Sequence, residues 1–121
     1  MGKYVIKQSK TGPYFVLKAA NGEPIGTSEV YSSEAAAKNG IESVKKNAPV
    51  AQIEDQTVEG WKNMTNPVFE LYKDKGGEFR FRLRAKNGEP ILASEGYSAK
   101  ASAIGGIESV KKNADSETVP E

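Results

Sequence analysis

The fold is decided by a stretch of sequence that occurs twice. Residues 21–48, NGEPIGTSEVYSSEAAAKNGIESVKKNA, return 66 positions later as residues 87–114, NGEPILASEGYSAKASAIGGIESVKKNA. The two copies are identical at 20 of 28 positions, which similarity in composition alone would not produce. A period this long, present only twice, is not typical of a solenoid and indicates a duplicated small domain.

Each copy is preceded by two stretches in which apolar and polar residues alternate. Before the second copy these are residues 69–72 and 79–85, with a turn at 74–77, and the same pattern precedes the first copy. Alternation with a period of two is typical of half-buried strands. The Asn-Gly pairs at 21–22 and 87–88 then predict two-residue type I′ turns, in which both residues have positive φ. A third strand follows each pair.

A helix is predicted near the end of each copy. Ser32 and Ser98 are its expected N-caps, and Asn47 and Asn113 are expected to close it in the left-handed conformation. Gly40 and its counterpart in the second copy predict a close approach to the sheet, because glycine inside a helix is otherwise unfavourable. The apolar residues at helical spacing would pack on the sheet: Ala37, Ile41, Val44, Ala103, Ile107 and Val110.

These elements divide the chain into repeat 1 (residues 1–54), a linker (residues 55–67) and repeat 2 (residues 68–121). The linker holds the only tryptophan, Trp61. Each repeat is predicted to be a β-β-β-α-β unit, but the tail after the second helix is so polar that its last strand is left open. A unit of about 50 residues buries too little surface to be stable alone. We therefore expect an α+β fold with the helices on one face, in which the tandem duplicated units share one antiparallel-type sheet as one cooperative domain.

The composition excludes several kinds of chemistry. The chain has no cysteine and no histidine, so disulfides, thiolate nucleophiles and imidazole catalysis are absent. No metal site and no cofactor are predicted. The 17 basic and 16 acidic residues nearly balance, which argues against a general attraction to nucleic acid. No apolar run is long enough to span a membrane and no signal segment is visible, so a cytoplasmic location without a membrane partner is expected.

Three linked motifs recur in both copies. They are FVLKAANGEPI, SEVYSS and GIESVKKNA in the first, and FRFRLRAKNGEPI, SEGYSA and GIESVKKNA in the second. Together they resemble the YegP-like family of uncharacterised bacterial proteins. The resemblance implies a tandem pair of three-strand, helix, strand units in a single sheet, with the strands after the helices exchanged between the units. It implies no activity.

Three arginines form the first candidate binding site. Arg80, Arg82 and Arg84 alternate with core residues of one predicted strand and therefore share the opposite face of the sheet. Such a strip could bind a phosphate-rich polyanion, or it could be a solvated strand face that resists aggregation. The second interpretation is favoured. A two-residue turn at Asn-Gly would also place Arg80 directly opposite Glu95.

A glutamate and a tyrosine at each strand–helix junction form the second candidate site. Glu29 precedes Tyr31, and Glu95 precedes Tyr97. A carboxylate beside a phenol could bind a polar ligand or move a proton. The favoured interpretation is that the tyrosine packs the junction while the glutamate pairs with a neighbouring strand, because a duplicated fold repeats its structural supports.

The function predicted from these features is that of a small non-enzymatic interaction module. It would bind a protein partner or a second copy of itself. Weak binding of nucleic acid or another polyanion through the arginine strip is the alternative, and no catalytic residue is predicted.

Overall fold

The computed structural model describes residues 2–120, so Met1 and Glu121, the outer ends of the two predicted repeats, lie outside the described residues. This part of the chain forms eight strands and two α-helices. In chain order they are β1 (Lys3–Ser9), β2 (Gly12–Lys18), β3 (Pro24–Thr27), α1 (Glu34–Asn47), β4 (Gln52–Asp55), β5 (Val68–Lys73), β6 (Phe79–Arg84), β7 (Pro90–Ala93), α2 (Lys100–Asn113) and β8 (Thr118–Pro120). A short 3₁₀ helix, Ala48–Val50, follows α1.

All eight strands lie in one sheet, in the order β4-β5-β6-β7-β3-β2-β1-β8. The inner pairs are antiparallel, but β4 pairs with β5 and β8 pairs with β1 in parallel. The sheet is therefore mixed, which corrects the expected antiparallel type. A parallel pair needs a long connection, and the linker between β4 and β5 provides one.

The two parallel pairs are also where the repeats exchange strands. β4 belongs to repeat 1 but lies beside β5, the first strand of repeat 2, and β8 of repeat 2 lies beside β1. The exchange implied by the family resemblance is confirmed, and so is the last strand that the polar tail left open. Each repeat thus completes the sheet of the other.

Both helices lie on one face of the sheet, where the core is. The alternating strand residues Tyr4, Phe15, Phe69 and Phe81 are fully buried against them. The predicted apolar stripes are confirmed, since each of their residues is at most 1 % exposed: Ala37, Ile41, Val44, Ala103, Ile107 and Val110. The opposite face, which we call the open face, carries the alternate strand residues. Neither helix, among the residues described, is long and apolar enough to cross a membrane.

The Asn-Gly turns differ from the predicted type. Only Gly22 and Gly88 have positive φ there, at 86° and 87°, whereas Asn21 and Asn87 do not. The amide of Gly22 donates to the carbonyl of Ala19, so the turn has three residues and ends in a bulge glycine. Asn-Gly suits both turn types, because the asparagine Oδ1 can also accept the amide two residues ahead, as it does from Glu23 at 3.0 Å.

The predicted helix caps are also corrected. Ser33, not Ser32, caps α1 through a 3.1 Å hydrogen bond from the amide of Ala36. The N-cap of α2 is Ala99 rather than Ser98, and it makes no side-chain hydrogen bond. At the other end, Asn47 keeps a right-handed conformation at φ −93° because the chain continues into the 3₁₀ helix. Asn113 likewise lacks a positive φ.

Candidate functional site

The three arginines of β6 lie on the open face, as predicted, but each of them forms an ion pair with an acidic side chain. Arg82 and Arg84 both donate to Oε1 of Glu70 on the neighbouring strand β5, Arg84 at 2.7 Å. Arg80 donates to Oδ2 of Asp74 at 2.6 Å. The predicted pairing of Arg80 with Glu95 is therefore wrong. Asp74 competes successfully because it follows β5 directly and its hydrogen bonds to the amides of its own turn hold it in place.

Glu70 is the electrostatic centre of this strip. Burial alone would raise the pKa of its carboxyl, but the hydrogen bonds from Arg82 and Arg84 outweigh burial and hold the pKa below its usual value. The Arg82 guanidinium also lies 4.8 Å from the ring centre of Tyr72, a cation–π contact. The guanidinium groups are thus engaged by the protein itself, which leaves them less able to hold an external polyanion.

The two junction tyrosines take structural positions. Tyr31 stacks on Phe15 with ring centres 6.0 Å apart, and Tyr97 stacks on Phe81 at 6.4 Å. A Cβ added at Gly106 would lie 2.6 Å from the Tyr97 hydroxyl. The equivalent contact in repeat 1 is between Gly40 and the Tyr31 hydroxyl. The predicted close approach at these helix glycines therefore exists. It is made by side chains, namely the junction tyrosine and Phe15 or Phe81 of the sheet, and not by the sheet backbone.

The acids near these tyrosines come from both repeats. Burial raises the pKa of Tyr31, and the negative charges of Glu29 and Glu89 add to the effect. The raised pKa of Tyr97 has the same causes, with the charges supplied by Glu95 and Glu23. A phenol whose pKa is raised gives up its proton less readily, which makes either tyrosine a poor acid or base near neutral pH. Within residues 2–120, no group of three or more acidic side chains is arranged to hold a metal ion.

A cavity of about 660 Å³ opens beside the linker, at the end of β5. Three aromatic side chains line it, namely Trp61 of the linker, Tyr72 and Phe79. Two lysines also border it. The Lys73 ammonium lies 5.5 Å from the ring centre of Phe79, and Lys100 pairs with Asp55 at 2.6 Å.

The linker beside this cavity is held in place from both ends. The amide of Met64 donates to Oε1 of Glu54 at 2.7 Å, and the amide of Thr57 donates to Oδ1 of Asp55 at 2.9 Å. Burial would raise the pKa of Asp55, but hydrogen bonds from Lys100 and Thr57 lower it. The linker nevertheless exposes apolar side chains: Val58 (47 %), Trp61 (41 %) and Met64 (40 %). We call these three residues with the cavity the linker site.

Comparison with known proteins identifies the family. A family described as "Domain of unknown function (DUF1508)" matches residues 9–55 and again residues 74–121. The UPF0339 protein YegP of Yersinia pestis is 42% identical over 114 residues, covering 93% of this chain and 88% of that protein. The chain belongs to the UPF0339 (YegP) family. The resemblance stated from the sequence motifs is thus confirmed.

Two further similar proteins bear on the architecture. The solution structure of yegP from E. coli, described as a protein of unknown function, superposes with a TM-score of 0.79 at 36% identity, covering 98% of this chain and 90% of that chain. The UPF0339 protein Atu5359 of Agrobacterium fabrum is 67% identical over 45 residues, which are 37% of this chain but 73% of that protein. A UPF0339 protein can therefore be little longer than one repeat, which is consistent with duplication in this chain.

The sequence predicted only some of the residues that the structure brings together in the two candidate sites. It placed the arginines on one face, but it did not find their carboxylate partner Glu70. It also missed the linker site, whose residues come from the linker, β5, β6 and the start of α2. The one available signal was the position of Trp61, because the only tryptophan of the chain stands in a polar linker that the duplicated fold does not repeat.

Proposed function

We propose that this protein is a non-enzymatic interaction module that binds a segment of another protein at the linker site. The observation that carries the proposal is the exposure of three large apolar side chains on one anchored segment, Val58, Trp61 and Met64. Large apolar side chains grouped on a surface are typical of interaction sites, and tryptophan and tyrosine supply much of the binding energy where proteins meet.

The shape and charge of the linker site indicate the kind of segment. A volume of about 660 Å³ lies within the usual range for ligand pockets, and it suits one or two side chains inserted between the aromatic rings. Lys73 makes no ion pair among the described residues and adds positive charge beside the cavity. The partner segment should therefore carry an aromatic or aliphatic anchor next to aspartate or glutamate.

Peptide selection tests this proposal. Peptides are selected from a random library on the wild-type protein, and their affinities are measured from the fluorescence of Trp61. We expect the selected peptides to carry apolar anchors flanked by acidic residues. Trp61→Ala should weaken their binding about thirtyfold, as for a central contact residue. Because this variant lacks the fluorescent residue, its affinity is measured by calorimetry. Lys73→Gln should weaken binding severalfold, whereas Lys75→Gln, on the exposed turn after β5, should leave it unchanged.

Two results would overturn the proposal. One is that the selected peptides bind Trp61→Ala as well as the wild type while the circular dichroism of the two proteins is the same. The other is a concentration-dependent dimer whose formation protects Trp61 from a fluorescence quencher, which would make a second copy of this chain the partner.

The absence of catalysis is part of the same proposal. Histidine and cysteine are missing from the sequence, and the raised pKa values of Tyr31 and Tyr97 oppose a role in proton transfer. A hydrolytic or transfer activity lost in Tyr97→Phe, with the stability of the fold unchanged, would contradict it.

Binding of a polyanion by Arg80, Arg82 and Arg84 is the weaker candidate, because all three side chains already form ion pairs with Glu70 or Asp74. If it occurs, affinity for single-stranded RNA must fall with salt, with a log–log slope of about −2 for three phosphate contacts. Changing all three arginines to glutamine should abolish it.

A further inference from the structure

Two surface clefts are related by the duplication, and both repeats contribute to each of them. In the first cleft, of about 350 Å³, Ser43 and Lys46 of α1 lie across from Asn87 in the Asn-Gly turn of repeat 2. In the second, of about 640 Å³, Ser109 and Lys112 of α2 lie across from Asn21 in the turn of repeat 1. We call these the turn–helix clefts.

The polar groups left free in the clefts are hydrogen-bond donors. Oδ1 of Asn87 accepts the amide of Glu89 at 3.0 Å, which leaves the side-chain NH₂ unused. Oγ of Ser43 accepts a hydrogen bond from Asn47 at 3.1 Å, so its hydroxyl hydrogen can point into the cleft. Lys46 makes no ion pair among the described residues. The second cleft offers the same ammonium, amide and hydroxyl groups.

The lysines of the clefts are identical in the two copies although packing does not require them. Lys46 and Lys112 are exposed. Some helix surface positions have diverged between the copies, for example exposed Lys38, which is Ile104 in repeat 2, whereas exposed Glu42 is retained as Glu108. Lys45 and Lys46 both lie in the last turn of α1, where positive charge suits the helix end, and their counterparts do so in α2. A ligand that binds in both clefts would in addition favour the retention of Lys46 and Lys112.

We propose that the turn–helix clefts are two sites, related by the duplication, for an anionic ligand that presents a carboxylate or phosphate group. This inference goes beyond the proposed function, because it concerns other residues and a different ligand. Ammonium, amide and hydroxyl donors around one concavity match the acceptor oxygens of such an anion. Arginine is absent from both clefts, so the site presents a point charge with flanking neutral donors.

The two clefts differ in two charges. Lys86 lines the first cleft, where the second has Ala20. Glu42 also lines the first cleft, but it lies 3.7 Å from Lys45, which offsets its charge. The first cleft should therefore bind the anion more tightly, and Lys86 should account for the difference.

Nuclear magnetic resonance titration of the full chain tests the inference. Sodium phosphate and sodium citrate are added separately, with the ionic strength held constant by sodium chloride. We expect saturable shifts in the amides and asparagine side chains of both clefts, and the stronger response of the two identifies the preferred anion. Lys46→Gln should weaken binding about tenfold in the first cleft only, and Lys112→Gln in the second only.

Matched variants make the outcome decisive. Lys38→Gln, which removes an exposed lysine of α1 outside the cleft, should leave both sites unchanged. Lys86→Ala should lower the affinity of the first cleft, and Ala20→Lys should raise that of the second. The inference is overturned if the shifts do not saturate, or if Lys38→Gln reduces them as much as Lys46→Gln does.

Discussion

Glu54 and Glu70 lie directly opposite each other in the parallel pairing of β4 with β5, and both are almost fully buried, at 3 % and 8 % exposed. Nε2 of Gln56 bridges them, donating to Glu54 at 2.7 Å and to Glu70 at 3.2 Å. Two neighbouring carboxylates are tolerated here because Arg82 and Arg84 supply compensating charge. The arginine strip is thus explained by a structural role on the open face.

The first prediction concerns this carboxylate. Glu70→Gln should lower the free energy of unfolding at pH 7 by about 1–3 kcal/mol. The reason is that a neutral amide replaces the carboxylate that accepts two charge-assisted hydrogen bonds from arginine. The measurement is chemical denaturation of both proteins. Glu108→Gln, at an exposed position of α2, is the control and should change stability by under about 0.5 kcal/mol.

The acid sensitivity of the protein should change in the same variant. The folded-state pKa of Glu70 is lowered from its ordinary value of 4.5, so the unfolded chain binds the proton more readily than the folded one. The stability that Glu70 contributes is therefore fully present above about pH 4.5 and is lost as the pH falls through the lowered pKa. We expect the wild type to lose more stability than Glu70→Gln as the pH is lowered from neutral into the acidic range. Parallel curves over this range would contradict the assignment.

The neighbouring glycines of α2 provide a second prediction. A Cβ at Gly106 would lie 2.8 Å from Cε2 of Phe81, whereas a Cβ at Gly105 would meet nothing within 4 Å. Gly106→Ala should therefore destabilise the protein by about 1–3 kcal/mol through overpacking. Gly105→Ala should stabilise it by about 0.5–1 kcal/mol, because alanine favours helix. Both changes in the free energy of unfolding are measured by thermal or denaturant unfolding.

Removing the Tyr97 hydroxyl provides the control for the overpacked site. In Tyr97→Phe, the same Gly106→Ala change should cost less than in the wild type, because the Oη atom that the new Cβ would meet is absent. If Gly106→Ala and Gly105→Ala stabilised the protein equally, the helix would not approach the tyrosine as closely as the structure indicates.

The sequence predicted the elements whose signals are local. Alternation predicted a strand at residues 79–85, where β6 (Phe79–Arg84) lies, and helical spacing placed Ile41 and Ile107 in the core, because each pattern reflects burial of one face. The sequence could not decide the type of the Asn-Gly turn, because the same two residues also suit a three-residue turn that ends in a bulge. The register beyond the bulge is nevertheless the one a two-residue turn would give, with Arg82 opposite Ala93.

The parts that could not be predicted depend on contacts between repeats. Glu54 is the last residue of the predicted repeat 1, and nothing near it in the chain indicates that it will lie beside Glu70. The linker site and the turn–helix clefts likewise combine residues that are distant in sequence. The shared sheet and the exchange of strands create these neighbours. The sequence indicates the exchange only through the family resemblance.

A third prediction concerns the anchoring of the linker. Glu54→Gln removes the charged acceptor of the Met64 amide, so hydrogen exchange at Met64 should accelerate about tenfold or more, as for loss of a charge-assisted bond. The exchange of buried Phe81 should change less. Equal acceleration at the two amides would indicate global destabilisation and not release of the linker.

The last prediction is that the two repeats unfold together. The central pairing of β3 with β7 consists of Thr27 opposite Ala93, so the exchanged strands β4 and β8 and the shared core must hold the repeats together. Each repeat alone would lose the partner of its first strand and expose a long edge. Far-ultraviolet circular dichroism and Trp61 fluorescence should therefore report one coincident denaturant transition. Fragments 1–67 and 68–121 should be unfolded or associated when separate and should regain the native spectrum when mixed. A monomeric fragment as stable as the full chain would show that strand exchange is dispensable for folding.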